Sequence, residues 1–170
     1  SDHTTLSASV LKHITIEGVR NLTQAQVTLP AGATALFGAN GSGKTSILEA
    51  IHLLGVGRSF RTHQSKPVIQ HGMAYCRVVG EVRRSGLAKV MGLEKHRDGS
   101  VKARVGGDNV ASLSELALHL PLVLVDTEGL SIVAGPPEGR RRLLDGTLFH
   151  VEQGFLSQWK RYALAVRQRN

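Results

Sequence analysis

The chain has 170 residues with 21 Lys and Arg against 13 Asp and Glu, a net charge of +8 and an isoelectric point near 10.3. With 41% hydrophobic and 20% charged residues it has the makings of an ordinary core, while 4% aromatics argue against a stacking platform for single-stranded bases. Its single cysteine, Cys76, excludes an internal disulfide and a four-cysteine zinc site, and no apolar run approaches the roughly 18 residues that span a bilayer. The positive excess suits a polyanionic partner, nucleic acid or an anionic membrane surface, although solubility alone would also account for it. If the partner is nucleic acid, Lys and Arg contacts to phosphate are the expected mode.

The start, SDHTTLSASV, has neither the basic end nor the apolar stretch of a signal peptide, and the chain reads as cytoplasmic. The missing initial Met and the ending QRN read as a trimmed or processed chain. LKHITIEG and AQVTL alternate as strands; Pro30, Ala31 and Gly32 then punctuate, and ATALF reads as a short buried strand. After a glycine loop, SILEAIHLLG places Ile47, Ile51 and Leu54 on one helical face, with Gly55 as the stop. GVGRSFRTHQSK reads as a basic loop. AYCRVVGEV, LAKVMGLEK and VKARVGG follow as strands joined by turns at RRSG and HRDGS. Ser112 and Glu115 have capping-box spacing at the start of a short helix. LPLVLVD reads as another buried strand, Pro136 and Pro137 as a helix start, and FLSQWKRYALAVRQRN as a last amphipathic helix.

The loop Gly38, Ala39, Asn40, Gly41, Ser42, Gly43, Lys44, Thr45 satisfies G-x-x-x-x-G-K-[ST] between a strand-like run and a helix. Glycines allow backbone angles closed to other residues, so that successive N–H groups converge on phosphate oxygens, and the helix start adds unpaired donors. Lys44 is expected to reach the β- and γ-phosphates and the Thr45 hydroxyl to ligate Mg²⁺. The alternative, a surface glycine turn with a solvated lysine, does not explain the whole pattern in this context.

The cradle alone leaves kinase, GTPase and ATPase open. Two strands precede it, a β-rich block follows its helix, and no N-K-x-D guanine reader is present. GVRNL (18–22), GANGSGKTSILEAIHLLGVGRSFRT (38–62) and GPPEGRRRLLDGTLF (135–149) together resemble the N-terminal half of the RecF family of recombination and replication-repair ATPases, over almost the whole chain. The resemblance implies an α/β P-loop fold of the ABC-ATPase head type: a mixed sheet with an antiparallel β-subdomain and the beginning of a helical lobe. It places the nucleotide-binding lobe at 1–125 and the start of the helical lobe at 126–170. It implies ATP and Mg²⁺ as ligands, an ATP-dependent head-to-tail homodimer, DNA (duplex or gapped) and a RecR-like mediator as partners, and no membrane role. The implied work is ATP-dependent DNA binding in recombinational repair and replication restart, helping to load the recombinase at gaps.

The chain departs from that family at Val19, where Phe is usual, and at Thr127-Glu128, where Pro-Glu is usual. No hhhhDE strand follows the cradle; LVLVD, ending at Asp126, is the nearest imitation and would supply Asp126 for magnesium and Glu128 as base. The resemblance instead puts that segment at the entry to the helical lobe, with acidic strand and signature loop beyond Asn170, so the complete protein is expected to be a weak ATPase and this stretch alone to bind nucleotide weakly at best and not to turn it over.

Arg20 and Asn21 are candidates to approach the nucleotide, as an equivalent pair does in related heads, or to form a surface turn. Arg58 and Arg61 could meet DNA phosphate or a partner subunit, or be solvated. Arg140, Arg141 and Arg142 sit where a helix start disfavours positive charge, which suggests phosphate binding or an interdomain ion pair. Glu49 reads as a structural hydrogen-bond acceptor rather than a base. Two rival functions stand: an ATP-driven transport subunit with no DNA role, and a module that holds nucleotide only as a structural ligand.

Overall fold

The computed structural model describes residues 9–122 and 124. The chain divides after Leu120 into two units, Ser1–Leu120 and Pro121–Asn170, and the elements below all belong to the first. The strand expected over LPLVLVD falls largely outside the described residues, and the helices expected after it, with Asp126, Glu128, Arg140, Arg141 and Arg142, fall wholly outside them.

Six strands form one antiparallel sheet: β1 (Val10–Val19), β2 (Leu22–Thr28), β3 (Tyr75–Arg84), β4 (Leu87–His96), β5 (Val101–Val105) and β6 (Asp108–Asn109), in the order β2-β1-β3-β4-β5-β6. Alternation drives the pairing. Ile14 and Ile16 of β1, Val78 and Val82 of β3, Met91 and Leu93 of β4 and Ala103 of β5 are buried on one face. The other face carries charge in register: Glu17 stands opposite Arg77, and Arg77 opposite Glu94. Arg77 lies 3.4 Å from Glu17 and 2.7 Å from Glu94, so opposite charges alternate across three strands. β3 and β4 pair without a break from Tyr75↔His96 to Arg84↔Leu87. The turn between them, Ser85 (φ 51) and Gly86 (φ 76), has both residues left-handed, as the twist of a two-residue hairpin requires.

The helix α1 (Lys44–Val56) lies on the buried face. It crosses at Gly80, where an added Cβ would run into the side-chain ends of Leu54 and Leu11, so any larger residue would have to push both leucines aside. Ala50, Leu53 and Leu54 of α1, with Val68 and Ile69 from the long connection to β3, complete the core. A 3-10 turn, Leu113–Glu115, runs into α2 (Leu116–His119), whose Leu116 is fully buried.

Three sequence-based expectations are corrected. ATALF is not a strand: residues 33–38 pair with no strand among the described residues, and Phe37 is 89% exposed. An apolar run becomes a strand only where neighbours offer ladder partners, and the antiparallel sheet closes without it. The helix does not stop at Gly55, which is buried within it; Gly57, with φ 80, is the C-cap and its N–H donates to the Leu53 carbonyl at 2.8 Å. Its buried stripe is Ser46, Glu49, Ala50, Leu53 and Leu54, whereas Ile47 and Ile51 are only half-buried. Polar residues occupy the stripe because partners wait for them there, as described below. Ser112 does cap the short helix, but by accepting from the Ser114 N–H, two residues on, at 3.3 Å.

Candidate nucleotide-binding site

The glycine loop enters α1 through Gly43, whose φ of 100 lies in the left-handed region. An added Cβ at Gly43 would lie 2.7 Å from Leu22 Cδ2, so the β1–β2 turn also presses on this residue. Gly41 has φ 81, and Ser42 closes a turn by donating its N–H to the Ala39 carbonyl at 3.1 Å. The Lys44 ammonium donates to the carbonyls of Gly38 and Ala39, folding the lysine back along the loop it belongs to.

A cleft of about 500 Å³ opens beside this loop. Asn40, Gly41, Gly43, Lys44 and Thr45 line one side, Ser46 its floor at the start of α1. Arg20 and Asn21, from the β1–β2 turn, and Arg61, from the connection after α1, line the rest. The size falls within the usual range for small-molecule sites, about 300 to 1,000 Å³. Arg58 is exposed and does not line the cleft; its carbonyl accepts from His52 Nδ1 at 2.6 Å.

Glu49 holds the arginine side of the cleft. Its carboxylate is completely buried and accepts two hydrogen bonds from Arg20, both 2.9 Å, in the forked geometry that suits guanidinium to carboxylate. Ser59 donates to it at 2.5 Å, and Arg61 Nη1 stands 3.7 Å away. Burial pushes this carboxyl up, but hydrogen bonds from Arg20 and Ser59 and the charges of Arg20 and Arg61 outweigh it and hold the group below its ordinary value. Ser59 Oγ also accepts the N–H groups of Arg61 and Thr62, which shapes the loop that carries Arg61. Glu49 is thus the structural acceptor its sequence context suggested. Arg20 has φ 53, a left-handed angle uncommon for a side-chain-bearing residue; its N–H bonds to the Val68 carbonyl at 2.8 Å and its guanidinium to Glu49, so both ends of the residue are fixed.

Chemically the cleft offers one ammonium, two guanidiniums, a helix start and glycines in left-handed conformation, and its one nearby acid is already paired. This donor set fits a polyphosphate. The Thr45 hydroxyl has no hydrogen-bond partner among the described residues and lines the cleft, which fits a ligand to a phosphate-bound cation. Sequence reasoning did not find Ser46 and Ser59. Their partners are 25 and 10 residues away, and the one local hint was the polar pair Ser46 and Glu49 recurring at helical spacing within an otherwise apolar helix.

The profile of the RecF/RecN/SMC N terminal domain matches residues 10–132. The chain belongs to that family. It is 44% identical over 161 residues to the DNA replication and repair protein RecF of Azotobacter vinelandii, and 44% identical over the same length to that of Pseudomonas putida strain W619. Each alignment covers 94% of this chain and 44% of the relative, so the chain spans less than half the length of these proteins. Among solved structures it is similar to the recombination mediator protein RecF-ATP of the RecFOR pathway, with a TM-score of 0.83 and 26% identity over 99% of this chain and 46% of that one. An SMC ATPase structure, at TM-score 0.64 and 19% identity over 81% of this chain, shares the fold. The ABC-type head expected from the sequence is therefore the fold of this chain's family, with the antiparallel subdomain carried by β1–β6.

Proposed function

We propose that this chain is the nucleotide-binding portion of a RecF-type protein that binds DNA under the control of ATP during replication and recombinational repair. The observation that carries the reading is the convergence of Lys44, Arg20 and Arg61 on one cleft at a left-handed glycine loop, in a chain 44% identical to RecF proteins. In this reading Lys44 exchanges the Gly38 and Ala39 carbonyls for the β- and γ-phosphates. The N–H groups at the start of α1 meet the phosphates, and Arg20 and Arg61 add positive charge from the arginine side of the cleft. Thr45 would supply a hydroxyl ligand for Mg²⁺, whose charge would offset that of the phosphates.

A bound triphosphate would complete an interface between two copies and present basic surface to duplex or gapped DNA; loss of the γ-phosphate would release it. Arg58, Arg140 and Arg141 are the arginines proposed for DNA phosphate or a partner, and a RecR-like mediator and the cytoplasm are the proposed partner and location. The transport-subunit alternative has no observation in its favour: the similar proteins are named for DNA replication, repair and recombination. Retention of duplex DNA by the protein, measured with ATP, without it and after Lys44→Ala, tests the switch. ATP should raise retention and Lys44→Ala should abolish the rise; equal retention in all three cases contradicts it.

A further inference from the structure

Asn21 lines the cleft, yet both arms of its amide are engaged with protein. Its Nδ2 donates to the Gly41 carbonyl at 2.9 Å, and the Ser46 hydroxyl donates to its Oδ1 at 2.9 Å. The orientation follows from chemistry: a carbonyl only accepts, so the nitrogen must face Gly41 and the oxygen is left for Ser46. Gly41 lies within the loop, and Ser46, 6% exposed, lies in the first turn of α1. One side chain from the β1–β2 turn therefore ties the loop to the helix it opens.

Apart from the Ser42 N–H bond to the Ala39 carbonyl, little else restrains the loop at that point. Nothing lies within 4 Å of where a Cβ would stand on Gly41, so packing does not hold this residue. The neighbouring residues of the β1–β2 turn, by contrast, are anchored: Leu22 bears on Gly43, and Arg20 is forked onto Glu49, one turn further along α1 than Ser46.

We infer that Asn21 is a positioning residue of the cradle, acting on bound phosphate through Gly41 and Ser46 rather than by touching it. Its bond to the Gly41 carbonyl and the bond from the Ser42 N–H to the Ala39 carbonyl hold the two ends of the planar Gly41–Ser42 peptide, so Asn21 fixes the orientation of this stretch of the loop from outside it. A glycine free to rotate would otherwise spend conformational entropy on every binding event. The inference rests on the nucleotide reading above and deepens it, because it assigns phosphate affinity to a residue on a different element from the loop.

The test is calorimetric titration of Mg-ATP and Mg-ADP into the protein, Asn21→Ala, Ser46→Ala and the double variant, with thermal midpoints recorded alongside. Asn21→Ala should weaken both nucleotides by the same factor, about tenfold, the worth of one hydrogen bond. The midpoint should hardly move, because Asn21 is exposed. Ser46→Ala should weaken binding less, and the double variant should be no weaker than Asn21→Ala alone, since Ser46 acts through the asparagine. Unchanged affinity in Asn21→Ala, a loss confined to ATP, or additive losses would each overturn the inference. Should Asn21→Ala fold poorly, Asn21→Ser, too short to reach Gly41, reads the same outcome. Binding of neither nucleotide by the unsubstituted protein would overturn the nucleotide reading itself and this inference with it, which keeps the two failures apart.

Discussion

The sheet and the segment that follows β2 are adjacent in sequence and held by opposite means. In the sheet, Ile14 and Ile16 are wholly buried and every strand is paired along its length with a neighbour. In residues 31–43 no strand pairs among the described residues, Phe37 is 89% exposed, and the loop is restrained by polar side chains reaching in from elsewhere, Asn21 from the β1–β2 turn and Lys44 from α1. Packing is dense and cooperative, so it fixes the sheet whatever is bound. The Lys44 hydrogen bonds can be exchanged for phosphate oxygens while Asn21 keeps its hold on Gly41, which is what a binding loop needs. α1 belongs to both regions: Leu53 and Leu54 face the sheet, and Lys44, Thr45 and Ser46 face the cleft.

This contrast can be broken by substitution. The largest loss of stability is expected for Leu53→Ala, which empties a fully buried position beneath α1 and should cost about 3 kcal/mol in urea unfolding. A cost near zero would mean that α1 is not packed on the sheet as described.

Glu49→Gln should cost less, about 2 kcal/mol near neutral pH, because Arg20 and Ser59 keep a neutral acceptor but lose the charge. The effect should depend on pH. Because the folded carboxyl titrates below its ordinary value, the stability it contributes is fully present above about pH 4.5 and is lost as pH falls through the lower folded value. The difference between the protein and Glu49→Gln should therefore shrink as unfolding is repeated at increasing acidity below that point. A gap that stays constant would show that the Glu49 charge does not stabilise the fold.

The smallest effect should come from Phe37→Ala, within about 0.5 kcal/mol, because the ring is almost fully exposed. A loss as large as that of Leu53→Ala would place Phe37 in a core and erase the contrast between the two regions.

The sequence made the sheet readable because alternation along β3 and the second half of β4 has no competing interpretation, and Ser85-Gly86 marks the turn between them. It misread ATALF because apolar character records a wish for burial and not the presence of a partner strand. It misread the face of α1 for a related reason: Ile47 and Ile51 look like core by hydropathy, yet the buried stripe contains Glu49 because Arg20 neutralises it and Ser59 donates to it there. The loop itself was legible, since its glycines and Lys44 are adjacent in sequence. The arginine side of the cleft was not, since Arg20 and Glu49 are 29 residues apart and only the fold joins them.

The account depends most on the claim that the loop around Lys44 holds a triphosphate. Mg-ATP titrated calorimetrically into the protein and into Lys44→Ala tests it directly. Saturable binding by the protein is expected, and binding about a hundredfold weaker after the substitution, as loss of charge-assisted hydrogen bonds to phosphate requires. Equal affinity in the two proteins, or no saturable binding by the unsubstituted one, would contradict it.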